Sequence, residues 1–315
     1  MSTSELTLDW GTRALRESLG ALLSGLSVEV LACTTSTNSV ILEDARAALQ
    51  QPAHPSDSAL SMVRRSVEST AFQRGSVDVQ PLLLVAEQQT GGRGRQGRSW
   101  QSAPGASLTF SLALPLQVAD WSGLSLAVGV AVAEALDPWT TTAQRAPRSP
   151  HIALKWPNDL WLVDGTGGGR KLGGILIETL AAGPCRLAVI GIGLNVKPMP
   201  VSGASSGFAC LQELDVAATA PGVLHRIALP LVQALQQFEH DGFGAFAARF
   251  ATRDLLRGHP VRTTQPDVPE GIAQGVSAQG ALLVRTDRGI RPVSSGEVSV
   301  RLSLPLEEAL AQRPC

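Results

Sequence analysis

Three strand-like segments follow one another between residues 151 and 196, and this run constrains the fold more than any other feature of the sequence. The segments read HIALKWPNDLWLV, RKLGGILIETLA and CRLAVIGIGLNV. Apolar residues dominate each of them, and the connection DGTGGG between the first two is typical of a flexible hairpin tip. We therefore expect a multi-stranded sheet at the centre of the chain.

Helical and strand patterns alternate before this run. An amphipathic helix and the strand SVEVLA are predicted within residues 12–31, and the polar cluster TTSTN is typical of the cap of a second helix, SVILEDARAAL. The strands LLLVAEQ and ASLTFSLAL come next, and a helix is predicted over residues 122–136. Residues 50–80 are expected to form a long surface excursion. Together the patterns predict a chain of both helices and strands, an α+β fold.

The part of the chain after the three strands changes character near Gly258. A helical region is predicted for residues 223–255, with leucine and phenylalanine at helical spacing. Short strands separated by glycine turns follow it, such as GIAQGVS and GALLVRT. This rhythm predicts a small β-barrel at the C-terminal end.

Composition excludes several classes of protein. Hydrophobic residues make up 44% and charged residues 17% of the chain, which is a globular balance. The net charge of −1 argues against a broad basic surface for nucleic acid. The N-terminus lacks a signal-peptide layout, and Glu134 interrupts the longest apolar stretch, so we expect a cytoplasmic protein that does not span a membrane. Four scattered cysteines suggest neither a disulfide framework nor a zinc site.

Lysine and asparagine are rare, and their positions are informative. The chain has only three of each. They are Lys155, Lys171 and Lys197, and Asn38, Asn158 and Asn195. Nearly all of them lie in four short segments that also stand out by their glycine and strand patterns. Chance and the turn preference of asparagine can explain one or two of these positions, but not the whole set.

The glycine–arginine segment, residues 91–98, reads GGRGRQGR and is followed by Ser99 and Trp100. Alternating glycine lets the backbone approach an anion closely, while guanidinium groups supply charge and directional hydrogen bonds. The pattern suits a carboxylate or a phosphate, although it matches neither a P-loop nor a dinucleotide fingerprint. A solvated arginine loop or an RNA-binding tract is the alternative. With no tyrosine and 4% aromatic residues, stacking platforms for RNA are scarce.

The polar residues of the three strands point to direct transfer chemistry. Pro157 ends regular strand pairing, so Lys155 and Asn158 are expected at a strand end. Lys171 precedes paired glycines, and GIGLN leaves room for a close approach of another group. Each segment alone could be an ordinary structural junction. No Ser/His/Asp or Cys/His set is evident, so we expect bound substrates to react through positioning and charge neutralisation rather than through a protein nucleophile.

Five ordered motifs give the chain a family resemblance. TTSTN, EQQTGGRGRQGRSW, KWPNDL, KLGGILIE and GIGLNV resemble, in this order, the motifs of the biotin protein ligases, also called holocarboxylase synthetases. The end of the chain, GALLVRT followed by VSSGEVSVR, resembles their SH3-like C-terminal domain. The resemblance covers about residues 33–302. It implies a mixed-sheet catalytic domain with helices on one side in residues 1–257, an SH3-like β-barrel in residues 258–305 and a tail in residues 306–315.

The resemblance also implies an activity, that of a biotin–[acetyl-CoA-carboxylase] ligase. Such an enzyme forms biotinyl-5′-AMP from biotin and Mg-ATP, and then transfers biotin to a lysine of a biotin carboxyl carrier domain of acetyl-CoA carboxylase or a related carboxylase. Only about 32 residues precede TTSTN, so we expect no DNA-binding helix-turn-helix module and no nucleic-acid partner. The sequence is compatible with a weak homodimer.

The implied roles of single residues follow from the matching motifs. Lys171, Arg95 and Lys155 would be catalytic, with Lys171 bridging the biotin carboxylate and the α-phosphate. The biotin site would consist of Ser36, Thr37, Asn38, Gln89, Gly92, Arg93, Arg95, Lys171 and Gly191. The ATP and adenylate side would consist of Arg93, Arg95, Arg98, Trp100, Asn158, Asn195 and Arg301. No metal site of the protein itself is implied, because Mg²⁺ would enter with ATP.

Two rival functions stay open at this point. A lipoate or octanoyl ligase shares the fold, but lacks the pair GRGRxGR and KWPND. A nucleic-acid-binding protein would use the glycine–arginine segment, and a salt-dependent gel shift would support it.

Overall fold

The computed structural model describes residues 8–50, 63–65, 77–138, 150–164, 169–182, 185–202, 206–294 and 300–302. Within these residues the strands are β1 (Ser27–Thr34), β2 (Val63–Arg65), β3 (Val77–Val79), β4 (Leu82–Gln89), β5 (Gly92–Arg93), β6 (Ser99–Trp100), β7 (Ser107–Leu116), β8 (His151–Lys155), β9 (Asp159–Val163), β10 (Gly169–Ala182), β11 (Cys185–Asn195), β12 (Pro260–Thr263), β13 (Glu270–Val276), β14 (Leu282–Thr286), β15 (Gly289–Val293) and β16 (Val300–Leu302). The α-helices are α1 (Thr12–Leu19), α2 (Thr37–Gln50), α3 (Leu124–Leu136), α4 (Ala220–Asp241) and α5 (Ala247–Ala251).

The main sheet has seven strands in the order β1-β4-β7-β11-β10-β9-β8. β1 pairs with β4 in parallel, and every other neighbouring pair is antiparallel. The predicted mixed sheet is therefore confirmed. The three strand-like segments lie side by side at one end of it, because short connections between successive strands favour antiparallel neighbours.

The first of these segments forms two strands. β8 ends at Lys155 and β9 begins at Asp159, and the two pair as an antiparallel hairpin across a turn at residues 156–158. Pro157 stands in this turn, where its lack of a backbone N–H removes no strand hydrogen bond. The expected strand end at Lys155 is confirmed, and it places Lys155 directly opposite Asp159.

Helices cover both faces of the main sheet, to different extents. α1, α3 and α4 pack on one face, where they share a large apolar core with strand residues such as Leu83 and Val85. α2 packs on the opposite face, against Leu82 and Leu84. Successive strand residues point to opposite faces, so β4 contributes to both cores. Most helices lie on one side of the sheet, as expected, whereas α2, which the polar cap TTSTN predicted as a helix, lies on the other side.

α2 covers only part of its face of the sheet. Along β11, Leu187 and Val189 pack under the helix, and the next residues that face the same way are Gly191, Gly193 and Asn195. The neighbouring strand β7 changes in the same manner, from Ala113 to Ser111 and Thr109. One half of the face is therefore filled and the other half is open.

The C-terminal strands form an antiparallel five-stranded sheet in the order β15-β14-β13-β12-β16. This arrangement agrees with the predicted SH3-like domain, although the pairs among the described residues do not include one that closes a barrel. Val261 and Val284 belong to the same apolar core as the main sheet. The indole Nε1 of Trp156 also donates to the carbonyl of Gly280, at 3.0 Å. The boundary at residue 258 stays a prediction.

Other predicted elements are partly outside the described residues. The region 223–255 contains α4 and the short α5, with a 3₁₀ turn at Phe243–Phe246 between them. Most of residues 50–80 and the predicted tail at residues 306–315 lie outside the part that the structure describes. No helix among the described residues is long and apolar enough to cross a membrane.

Candidate functional site

A cavity of about 710 Å³ lies over the open half of the sheet face. Small-molecule sites in proteins typically measure about 300–1,000 Å³, so the cavity is large enough for a substrate of considerable size. Its walls come from the glycine–arginine segment, from the turn after β8 and from residues 201–202 and 206–208. Strand residues of β10 and β11 form its floor.

Two glycines of β11 form part of this floor, and their lack of side chains leaves space in the cavity. A Cβ atom on Gly191 would lie 2.4 Å from Oδ1 of Asn38, and one on Gly193 would lie 2.6 Å from Cε2 of Trp100. No side chain fits at either position unless these neighbours move. The prediction that GIGLN marks a close approach is therefore confirmed.

The glycine–arginine segment is a small hairpin. β5 pairs with β6, so that Gly92 lies opposite Trp100 and Arg93 opposite Ser99. Gly92 is not among the residues that line the cavity, and a Cβ atom there would lie 2.5 Å from the carbonyl oxygen of Trp100. Arginine side chains of this hairpin line the cavity. Their predicted contact with an anion stays a prediction.

Positive charge dominates the cavity wall. Among the described residues that line it, five are cationic and one, Asp159, is a carboxylate. The cationic residues are Arg93, Arg95, Arg98, Lys155 and Lys171. An excess of positive charge in a concave site favours anionic ligands.

Asp159 lies among these cations. Its Oδ1 is 2.7 Å from Nζ of Lys171, and it is the cross-strand partner of Lys155. The ammonium of Lys155 lies 5.0 Å from the ring centroid of Trp161, a cation–π distance. The sequence analysis assigned no role to Asp159 or Trp161. Asp159 belongs to the motif KWPNDL and Trp161 follows its last residue, and this position is the signal that could have found them.

Arg95 is the cationic group that burial affects most clearly. Burial lowers the pKa of its guanidinium, the charge of Asp159 opposes this shift, and the charge of Arg98 adds to it. An arginine still stays protonated at neutral pH. A partly buried cation beside another cation is stabilised when an anion binds between them.

Hydrogen bonds connect polar residues of β4, α2, β7 and β10 beside the cavity. Oε1 of Gln89 accepts from the backbone N–H of Thr37 at 2.8 Å and from its hydroxyl at 3.2 Å. The hydroxyl of Ser111 lies 2.6 Å from both Thr37 Oγ1 and Asn38 Oδ1. Nδ2 of Asn38 donates to Oε2 of Glu178 at 2.9 Å. We call Gln89, Thr37, Ser111, Asn38 and Glu178 the polar chain; its members Ser111 and Glu178 were missed by the sequence analysis.

The two remaining asparagines have structural partners as well as a place at the cavity. Nδ2 of Asn158 donates to the carbonyl of Ile175 at 2.8 Å, and Nδ2 of Asn195 donates to that of Ala209 at 2.9 Å. Each amide therefore fixes one wall of the cavity. Their predicted contact with a nucleotide stays a prediction.

The structure brings most of the predicted site residues together. Those that line the cavity are Ser36, Thr37, Asn38, Gln89, Arg93, Arg95, Arg98, Trp100, Lys155, Asn158, Lys171, Gly191 and Asn195. Gly92 belongs to the hairpin and is not among the residues that line the cavity. Arg301 lies on β16, where it pairs with Arg262, and its side chain is outside the part that the structure describes. Its predicted contact with ATP therefore stays a prediction.

Two family models match the chain. The model of the biotin/lipoate A/B protein ligase family matches residues 65–195, and that of the biotin protein ligase C terminal domain matches residues 258–301. The first match contains the glycine–arginine hairpin and the strands β8 to β11. The second contains four of the five strands of the small sheet and part of β16.

Individual relatives agree with these matches. The biotin–[acetyl-CoA-carboxylase] ligase of Mycobacterium tuberculosis is 32% identical over 91% of this chain and 94% of its own length. The bifunctional ligase/repressor BirA of Escherichia coli is 35% identical over 69% of this chain, which spans 65% of the length of that relative. A biotin protein ligase from Aquifex aeolicus, solved in complex with biotin and ATP, shares the fold with a TM-score of 0.62 at 24% identity, over 89% of this chain and 100% of that one.

Proposed function

The chain belongs to the biotin protein ligase family, and we propose that it forms biotinyl-5′-AMP from biotin and ATP and then transfers biotin to a lysine of a biotin carboxyl carrier domain. The observation that carries this proposal is the cavity, which the described residues line with five cationic side chains and one carboxylate. Both substrates of the first step are anions. A site that brings them together must offset their repulsion.

In the first step, a carboxylate oxygen of biotin attacks the α-phosphate of ATP. The new bond joins this oxygen to phosphorus, and the bond between the α-phosphorus and its bridging oxygen to the β-phosphate breaks, so that pyrophosphate leaves. Lys171 and Arg95 stabilise the charge that develops around the α-phosphate. Asp159 holds the ammonium of Lys171 at 2.7 Å and so keeps it in the cavity before the substrates bind.

In the second step, the neutral amine of the acceptor lysine attacks the acyl carbon of the adenylate. A carbon–nitrogen bond forms, the bond from carbon to the AMP oxygen breaks, and the amine loses a proton. The products are an amide and AMP. No side chain of the enzyme forms a covalent bond, so positioning and charge supply the catalysis.

The two ends of the cavity suit the two substrates. The end above the polar chain offers many hydrogen-bonding groups to the biotin ring, with Ser36, Thr37, Asn38, Gln89 and Gly191 as contacts. The end with Arg98 and Trp100 suits a nucleotide, since it combines a cation with an aromatic face. Asn158 and Asn195 would complete the nucleotide side.

Mg²⁺ would enter with ATP and neutralise part of the phosphate charge. Among the described residues no group of three or more His, Cys, Asp or Glu could hold a metal ion, whereas Asp159 offers one carboxylate at the cavity. Mg²⁺ commonly binds through one or two carboxylates together with substrate phosphates. This donor set fits an ion that arrives with its nucleotide.

The acceptor would be the biotin carboxyl carrier domain of acetyl-CoA carboxylase or a related carboxylase. The proposed location is the cytoplasm, where ATP and such a carboxylase would be available. The weak homodimer stays a prediction.

ATP–pyrophosphate exchange tests the proposal. The purified chain should exchange labelled pyrophosphate into ATP only when biotin is present, and it should then label a carrier domain with biotin. Lipoate in place of biotin separates this function from that of a lipoate ligase. Exchange with lipoate and none with biotin would contradict the proposal.

A further inference from the structure

Glu178 connects two parts of the site that are far apart in the sequence. It lies on β10, where Oε2 accepts from Nδ2 of Asn38 at 2.9 Å. Both of its carboxylate oxygens also lie 3.3 Å from Nη2 of Arg93, in the glycine–arginine hairpin. Glu178 itself is not among the residues that line the cavity. It reaches the cavity through contacts with two residues that do line it, Asn38 and Arg93.

The contact with Asn38 fixes the orientation of a buried amide. Asn38 is only 3% exposed, and Nδ2 donates to Glu178 and, at 3.2 Å, to the carbonyl of Leu176. Both of its N–H groups are thus used on one side, so that Oδ1 turns toward Ser111 and lies against Gly191. An ionised carboxylate can only accept hydrogen bonds, so Glu178 selects this orientation of the amide over the flipped one.

The contact with Arg93 connects Glu178 to the glycine–arginine hairpin of the same site. The Arg93 side chain is 46% exposed and that of Glu178 is 28% exposed. Ion pairs with this exposure contribute little to folding stability, because water screens them. The pair can nevertheless decide where the guanidinium stands above the cavity, because it links the hairpin to the rigid sheet.

We propose that Glu178 is a positioning residue for the biotin end of the site: it orients the amide of Asn38 and holds Arg93, and with it the glycine–arginine hairpin, over the polar chain. The inference rests on the proposed function, since it assumes that biotin occupies this end. It predicts that loss of Glu178 weakens biotin binding, while ATP binding and folding change little.

Three variants test the inference. Glu178→Ala removes both contacts. Glu178→Gln keeps an acceptor for Asn38 but loses the charge that attracts Arg93. Glu134→Gln is the matched control, because Glu134 forms a similar half-exposed ion pair with Arg249 (34% and 38% exposed) and does not line the cavity.

Calorimetry with biotin and, separately, with ATP gives the decisive readout. We expect Glu178→Ala to raise the Kd for biotin about tenfold or more, as for a lost hydrogen bond to a charged group. Its Kd for ATP, and its kcat at saturating biotin, should stay within about twofold of wild type. Glu178→Gln should give an intermediate Kd for biotin, and Glu134→Gln a wild-type value. Glu178→Ala and Arg93→Ala should also be non-additive in biotin binding, because they act on one contact.

Two outcomes would overturn the inference. One is an unchanged Kd for biotin in Glu178→Ala. The other is an equal loss of affinity for both substrates together with a lower Tm, which would show a general structural role. If the wild-type chain binds no biotin at all, the proposed function fails first, and the wild-type titration alone reveals this.

Discussion

The covered and the open halves of one sheet face have opposite tasks although the same strands build them. In the covered half, under α2, Leu84 and Val189 are fully buried. In the open half, Gly191 follows Val189 on the same strand and leaves space for the cavity. The comparison shows that side-chain size along a strand, rather than strand geometry, decides where this sheet binds a ligand.

The two halves also differ in what they contribute to folding. Burial of a large apolar side chain stabilises a fold by about 1.5–3 kcal/mol. Several such side chains are buried in the covered half. The open half forgoes it, because glycine, serine and charged groups bury little apolar surface. Substitutions in the two halves should therefore separate stability from activity.

Lys171→Gln should give the largest loss of function from the open half. A neutral amide cannot offset the charge of two approaching anions, and we expect biotin-dependent exchange to fall about 10²–10³-fold. The free energy of unfolding should change little, because Lys171 is partly exposed (29%). Lys197→Gln, at an exposed lysine that does not line the cavity, is the control. Wild-type exchange in Lys171→Gln would remove this lysine from the reaction.

Leu84→Ala should produce the opposite result in the covered half. Leu84 has no exposed surface, and a leucine-to-alanine change in a core costs about 2–5 kcal/mol. Urea denaturation should show this loss, while the variant that is still folded should bind biotin with wild-type affinity. A normal free energy of unfolding with weakened biotin binding would reverse the assignment of the two halves.

Most of this division could be read from the sequence, because it depends on local patterns. The strands, the strand end at Lys155 and the close approach in GIGLN follow from alternation, proline chemistry and glycine size. The helix α2 could be predicted as an element from its polar cap, but not its face of the sheet. Which face a helix covers depends on contacts between residues far apart in the chain.

The site was predictable at its motifs and less so between them. Glu178 closes the motif KLGGILIE but received no role there, and Ser111 stands in an ordinary strand. In both places a single polar residue is as typical of a solvent-facing position as of a hydrogen-bonded chain. Only the alignment of β7 with β11 and of β11 with β10 brings them next to Asn38. Tertiary pairing of this kind leaves no signature in the local sequence.

Exchanging alanine for serine in the covered half and serine for alanine in the open half should give the smallest effects and the most direct comparison of the two halves. Ser111 and Ala113 lie on one strand and face the same side, in the open and the covered half respectively. Ala113→Ser places a hydroxyl in the apolar half and should lower the free energy of unfolding by about 1–3 kcal/mol. Ser111→Ala removes a member of the polar chain and should raise the Kd for biotin about tenfold. Denaturation and calorimetry on both variants would show no such division if the two halves were equivalent.

Gly174→Val tests most directly whether the open half is the reaction site. A Cβ atom on Gly174 would lie 3.5 Å from Nζ of Lys171 and 3.6 Å from Oδ1 of Asp159, which are ordinary contact distances. The extra methyl groups therefore enter the cavity without a clash at Cβ, and valine is well suited to a strand. Biotin-dependent ATP–pyrophosphate exchange and urea denaturation should be measured on the same preparation. The account predicts exchange reduced about 10²-fold, as for misplaced reactants, with a free energy of unfolding equal to or above that of wild type. Exchange at the wild-type rate in a folded Gly174→Val chain would contradict it.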